Sequence, residues 1–274
     1  MLEVRDLTIG FRSDESVITA VESISFSLGE GETLAIVGES GSGKSVTALA
    51  LTRLLPEPPA LYKTGDILLE GHSILGMNEN MLRSVRGNQV AYIFQEPATS
   101  LNPVFSIYEQ IAETIRLHRP EVREMRKEVT HWLDQVGILD PARRLRDYPF
   151  QLSGGMQQRV MIAMALCCHP KLLIADEPTT ALDVTIQRQI LDLFQALKKK
   201  YGMAIMLITH NFGIIRGLAD KVAVMFRGRF VEFGDAEAVL RQPQHPYTRA
   251  LIDCVPRLGL NLDRLKTIDY SSLR

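Results

Sequence analysis

Apolar positions follow two textures along this chain, and the change from one to the other organises it. At the start they alternate. Leu2, Val4, Leu7 and Ile9, and then residues 17–28 with Ile24 and Phe26 on one side, predict antiparallel strands around the polar loop Arg12-Ser13-Asp14-Glu15, because a strand with one wet face sends every second side chain to the core. Leu34-Ala35-Ile36-Val37 is instead short and wholly apolar, stops at glycines, and is followed by helix-forming residues 46–55. Buried strand, turn and helix in that order make the strand-turn-helix unit of a nucleotide-binding α/β protein. Pro56-Glu57-Pro58-Pro59 should end the helix.

Residues 66–70 and 90–94 predict further strands, whereas 104 to about 137 and 155–168 carry helical periodicity and few strand formers. The α/β texture resumes with Leu172-Leu173-Ile174-Ala175, a helix over about 185–199 and a strand over 204–209. The chain thus leaves its sheet for a helical insertion and returns to it. After Val222-Ala223-Val224-Met225 and Phe230-Val231-Glu232 the pattern turns polar and irregular, and 261–274 shows no core pattern. There is no internal repeat and no low-complexity tract.

Composition narrows the classes. With 274 residues and 46% hydrophobic side chains, the chain can bury a large core, with room for an appended subdomain. Its 31 basic and 32 acidic residues leave a net charge of -1, so the overall balance calls for neither a nucleic acid nor an anionic membrane surface. The longest apolar runs, such as Met203-Ala204-Ile205-Met206-Leu207-Ile208, are about a third of the ~20 residues that cross a bilayer. Any membrane work is expected to go through partners. Charges in Met1-Leu2-Glu3-Val4-Arg5-Asp6 stand where a signal peptide is apolar, which points to the cytoplasm. Cys167, Cys168 and Cys254 fit neither a disulfide framework nor a metal-ligand spacing.

The chemistry begins at Gly38-Glu39-Ser40-Gly41-Ser42-Gly43-Lys44-Ser45, which matches G-x-x-x-x-G-K-[ST]. Glycines let backbone N–H groups turn inward around phosphates. Lys44 can reach the β- and γ-phosphates of ATP, Ser45 can ligate Mg²⁺, and the positive end of the helix starting there adds to the field. A second carboxylate source for the metal follows the apolar strand ending at Ala175: Asp176 is expected to hold Mg²⁺ through water, and Glu177 to polarise the attacking water as general base or its electrostatic equivalent. Taken alone, the acid pair could be an ordinary strand cap. Leu152-Ser153-Gly154-Gly155-Met156-Gln157-Gln158-Arg159 opens another helix with a serine cap and two glycines, a second anion-binding N-terminus. One nucleotide does not need two. The economical reading is a shared site, with the phosphate loop of one protomer facing the Ser153-Gly154-Gly155 helix start of another in a head-to-tail pair that ATP closes and hydrolysis releases.

With these residues in hand, the chain strongly resembles the ATPase subunits of ABC transporters over about residues 4–256, since the phosphate loop, the Leu-Ser-Gly-Gly-Met-Gln-Gln signature and Asp-Glu-Pro-Thr occur in the family's order. The resemblance implies an α/β fold: a P-loop NTPase core with a mainly parallel sheet, an N-terminal antiparallel β-subdomain, and a helical subdomain inserted at about 98–160, with 257–274 as a tail or the start of a linker. It further implies that Gln95 touches Mg²⁺ and senses the membrane partner, that His210 is the switch histidine at the γ-phosphate, and that Asp183 belongs to the loop linking the two sites. Phe11 stands where members stack an aromatic on adenine.

Phe94-Gln95-Glu96-Pro97 with Thr99-Ser100-Leu101-Asn102-Pro103, then residues 179–185, then His245-Pro246-Tyr247-Thr248, resemble the peptide and nickel importer branch, which includes dipeptide, oligopeptide and glutathione importers. That branch implies a second ATPase domain, membrane permease subunits and, indirectly, an external or periplasmic solute-binding protein, at the cytoplasmic face of a bacterial inner membrane. Likeness to importers carrying both ATPases on one polypeptide would make the tail an interdomain linker; a separate subunit or a shortened chain fits as well. Many relatives carry a C-terminal cysteine cluster for iron and sulfur, and with only Cys254 there no such cofactor is expected. The rival reading is a soluble ABC-type ATPase acting on nucleic acid or ribosomes, whose long coiled-coil or basic insertions the stretch between Gln95 and Ser153 is too short and too mixed in charge to supply.

Overall fold

The computed structural model describes residues 1–14, 16–179 and 182–254, in two compact units: Met1–Gly76 together with the chain from Met206 on, and Met77–Ile205. The first unit starts with β1 (Leu2–Arg12) and β2 (Val17–Leu28), then β3 (Thr33–Val37), α1 (Lys44–Ala50), β4 (Ala60–Leu69) and the short β5 (His72–Ser73). β1 lies inside an antiparallel sheet of order β2-β1-β4-β5, with Leu2 opposite both Leu28 and Leu69. Leu2 and Val4, and then Leu7 and Ile9, are buried; the period of two holds within each pair, and a register shift between Val4 and Leu7 returns the second pair to the core side. β3 is buried at every position.

Helix α1 begins at Lys44 and ends at Ala50, not at residue 55. The following residues tighten into turns, and Arg53, at φ 51, takes the left-handed conformation that stops a helix. β4 begins at Ala60, six residues ahead of the expected strand, because Phe11 and Gly10 of β1 extend the ladder to Ala60 and Leu61. Pairing along a formed edge here outweighs the polar look of Lys63 and Thr64.

The second unit holds α2 (Glu79–Val85), β6 (Val90–Ile93), α3 (Pro97–Ser100), α4 (Ile107–His118), α5 (Met125–Gln135), α6 (Pro141–Arg144), α7 (Gly154–Leu166), β7 (Leu172–Asp176) and α8 (Val184–Tyr201). β6 and β7 run parallel, Val90 opposite Leu172 and Ile93 opposite Ala175. α4 opens with a reciprocal cap, Ser106 accepting from the Glu109 N–H while Glu109 accepts from the Ser106 N–H. The chain then passes along β8 (Ala204–Thr209) back to the first unit, which closes with β9 (Lys221–Phe226), β10 (Arg229–Asp235), α9 (Ala236–Arg241) and α10 (Pro246–Asp253). β9 runs parallel to β3, Leu34 opposite Lys221, and antiparallel to β10.

Parallel pairs flanked by helices, beside a separate antiparallel sheet, make this the expected α/β fold. The stretch after residue 232 differs from expectation. It is helical rather than irregular, since Ala236, Val239 and Tyr247 join Val37, Phe212, Val222 and Val224 in one core cluster. Cys167 and Cys168 are buried thiols around the end of α7. Among the described residues no helix is long and apolar enough to cross a membrane. The expected tail at 257–274 lies outside the described residues.

Candidate functional site

The loop from Gly38 to Ser45 joins β3 to α1, and its shape depends on its glycines. A Cβ on Gly38 would lie 2.2 Å from the Met225 carbonyl oxygen, so only glycine lets the loop lie against β9. Gly43, at φ 107, caps α1 with no side-chain hydrogen bond, which leaves the helix start to whatever anion the loop takes up. Lys44 is buried, and its ammonium donates to the carbonyl oxygens of Gly38 at 2.9 Å and Glu39 at 2.7 Å. The Glu39 carbonyl also accepts from the Ser42 N–H at 3.2 Å. The Glu39 N–H donates to the Tyr247 hydroxyl at 3.1 Å. Ser42 Oγ is buried with no hydrogen-bond partner. Ser40, Gly41 and Ser45 are exposed. A lysine parked on loop carbonyls, a helix start without a side-chain cap and an unmet buried hydroxyl suit a polyphosphate. Elsewhere in this unit Phe11 is half-buried on β1, opposite Ile18 and Ala60, and His210 follows β8 as an exposed residue.

In the second unit β7 delivers Asp176 and Glu177, both half-buried, from a strand otherwise closed to solvent. Glu177 stands at φ 45, a left-handed conformation uncommon for a residue with a Cβ and concentrated at functional positions. Its carboxylate accepts from the Gln95 side-chain amide at 3.2 Å, so two predicted site residues 82 positions apart meet directly. Beside them, burial and then the Asp176 charge push the Tyr92 phenol far above its ordinary value, and its hydroxyl is buried with no hydrogen-bond partner. Ser153 accepts from the Met156 N–H and opens α7; Asp183 accepts from the Thr185 and Ile186 N–H groups and opens α8. Both are helix caps, and both are exposed. Gly154 is exposed as well, whereas a Cβ on Gly155 would press on Ile186 at 3.2 Å.

Comparison with known proteins decides the class. The model of the ABC transporter family matches residues 21–180, more than half of the chain. The chain belongs to the ABC transporter ATPase family. Residues 231–272 match a second model, the oligopeptide/dipeptide transporter C-terminal region. Among curated ABC relatives, the glutathione import ATP-binding protein GsiA of Escherichia coli K12 is 54% identical over 98% of the chain and 44% of its own length. The ABC transporter ATP-binding protein YejF of the same organism is 52% identical over 93% of the chain and 49% of its own length. The chain therefore spans less than half of the curated relatives it matches. Among solved ABC structures, the dimeric post-hydrolysis state of the ATP-binding cassette MJ0796 with ADP and Pi superposes with a TM-score of 0.77 at 26% identity, covering 86% of this chain and 99% of that one. The Clostridium perfringens cbiO1, part of the ABC transporter complex cbiONQ, gives a TM-score of 0.73 at 28% identity over 88% of this chain and 90% of its own. The expected family and its peptide-transporter branch are both found.

Sequence reasoning missed three features: the tie between Tyr247 and Glu39, the left-handed backbone at Glu177 and the buried hydroxyl of Tyr92. His245-Pro246-Tyr247-Thr248 was legible only as a branch mark. Nothing in its periodicity signals a contact 208 positions away.

Proposed function

We propose that the chain is the ATP-binding and ATP-hydrolysing part of an importer for peptides, glutathione or a related small solute. The observation that carries this reading is that one chain unites an ABC transporter match with an oligopeptide/dipeptide transporter C-terminal region; the name of GsiA, a glutathione import protein, agrees. No comparable feature favours an ATPase acting on nucleic acid or ribosomes.

In this proposal residues 38–45 cradle the phosphates, Lys44 leaves the loop carbonyls for the β- and γ-phosphates, and Phe11 stacks on adenine. Ser45, Gln95 and Asp176 are the metal-facing residues. Their hard oxygen donors suit Mg²⁺, which neutralises phosphate charge when bound. Among the described residues no group of three or more His, Cys, Asp or Glu is arranged to hold a metal. Glu177 orients and polarises the water that attacks the γ-phosphate, Gln95 holds that carboxylate in place, and His210 meets the γ-phosphate. Ser153, Gly154 and Gly155, linked through Asp183, complete the site of a second ATPase domain set head to tail.

The output goes to a permease at the inner face of the bacterial inner membrane, and a solute-binding protein outside it feeds the permease. In this reading the partner meets an exposed apolar surface of the second unit. Phe94, Val104 and Phe105 are exposed apolar side chains, and Phe94 also lines a cleft of about 420 Å³ with Tyr92, Thr99, Met161 and Met164. Gln110 steadies the loop that carries Val104 and Phe105, taking the Asn102 N–H and donating to the Asn102 and Phe105 carbonyls.

The test is Glu177→Gln. It keeps the side-chain shape and removes the charge that polarises water. Turnover should fall at least roughly a hundredfold while Mg-ATP is still bound, read by phosphate release and by calorimetry. Hydrolysis at the unmodified rate would remove Glu177 from its role.

A further inference from the structure

We infer that Tyr247 is a positioning residue for the phosphate loop, so that the oligopeptide/dipeptide-type C-terminal region helps set the affinity for nucleotide. The inference rests on reading residues 38–45 as the nucleotide site, and adds a residue that no motif of that site contains.

The Glu39 peptide is held from both sides. Its carbonyl accepts from the Lys44 ammonium at 2.7 Å and from the Ser42 N–H at 3.2 Å, while its N–H donates to the Tyr247 hydroxyl at 3.1 Å. When ATP draws the ammonium away to its phosphates, the first of these holds is lost. The tyrosine hydroxyl is then the side-chain tie that remains on the Glu39 N–H. A loop already in its binding shape spends less of its interaction energy on being ordered.

Tyr247 is built to act as a fixed post. It is 0% exposed and packs its ring on Phe226 with centroids 4.3 Å apart. Its own N–H donates to His245 Nδ1 at 3.2 Å, which caps α10. The turn into α10 is anchored in its turn. The Glu232 carboxylate on β10 accepts from the Gln244 N–H at 2.8 Å and the His245 N–H at 3.0 Å. A phenylalanine at 247 would serve the core equally well. The hydroxyl is the part that packing does not require, and its oxygen accepts from the nucleotide loop.

The experiment is Tyr247→Phe in the full chain, with Mg-ATP binding followed by calorimetry and amide exchange followed by mass spectrometry. The dissociation constant should rise about fivefold, the size of one net hydrogen bond, with stoichiometry unchanged. Exchange at Glu39 should quicken while the β3 amides keep their protection. In the unmodified chain the Glu39 amide should already be protected without nucleotide, a measurement that needs no variant. An unchanged dissociation constant, a loss of stoichiometry at constant affinity, or an unprotected Glu39 amide in the unmodified chain would each overturn the inference. If the unmodified chain itself fails to bind Mg-ATP, it is the proposed function that fails. Binding by the unmodified chain with an indifferent phenylalanine variant sinks the role of Tyr247 alone.

Discussion

Gly43 and Glu177 both sit at positive φ, 107 and 45, and they carry that conformation for different reasons. At Gly43 the constraint is steric as well as torsional, since a Cβ would lie 2.7 Å from the Ala20 carbonyl oxygen, a backbone atom that cannot swing aside. Gly43→Ala should therefore cost on the order of 2 kcal/mol, lowering the thermal midpoint by roughly 5 °C, and should weaken Mg-ATP binding because the loop must shift. Calorimetry with and without nucleotide reads both effects, and an unshifted midpoint would contradict the steric argument. The candidate phosphate loop stood out in the sequence because the chemistry proposed for it demands glycines and a lysine at fixed spacing. The Gln95 to Glu177 and Glu39 to Tyr247 contacts were not, because their partners are 82 and 208 positions apart and hydrogen bonding across a fold leaves no periodic trace.

Among elements, those with one-sided or wholly apolar patterns were the readable ones. Residues 204–209 form β8 at the expected bounds, and every one of them is buried. α9 and α10, of 6 and 8 residues, escaped because so short a helix shows barely two turns of pattern and takes its stability from packing. In the second unit Trp132 of α5, the chain's one tryptophan, packs against the rings of His169, just after α7, and Tyr201, at the end of α8, with centroids 5.4 and 5.7 Å away. Glu128 fixes it there, accepting from the Trp132 indole at 3.1 Å and from Arg119 at 2.6 Å. Burial opposes the charge on Glu128, but the hydrogen bonds from Arg119 and Trp132 outweigh it and hold the carboxyl below its ordinary range. A depressed folded-state pKa stabilises above the unfolded value and is lost as pH falls through the folded one. Glu128→Gln should thus lower the thermal midpoint, followed by Trp132 fluorescence, by roughly 3 °C at pH 7. The gap from the unmodified chain should close on acidification below about 4.3, the ordinary glutamate value. A gap that persists unchanged at low pH would mean that the charge contributes nothing.

At the scale of the whole molecule, the order of motifs along the chain carried the family, whereas in the proposed importer the choice of solute falls to other subunits and so leaves no residue pattern here. What this chain does record is half of a proposed shared site, at the start of α7. Gly154 is exposed, and a Cβ built on it meets nothing within 4 Å. An aspartate in the first turn of a helix is favoured by its dipole. Gly154→Asp should therefore leave the thermal midpoint of the isolated chain unchanged or slightly raised, and its own Mg-ATP affinity within about twofold, since the proposed nucleotide loop is a different segment. If α7 faces the γ-phosphate held by a second ATPase domain, however, the new carboxylate meets like charge at close range. That repulsion amounts to several kcal/mol in a partly desolvated site, enough to weaken ATP-driven pairing by roughly a hundredfold. Sedimentation with Mg-ATP in a Glu177→Gln background, where nucleotide persists, measures it. A chain that still pairs at full strength with Asp at 154 would show that the helix start is a structural cap and that the second half of the site lies elsewhere.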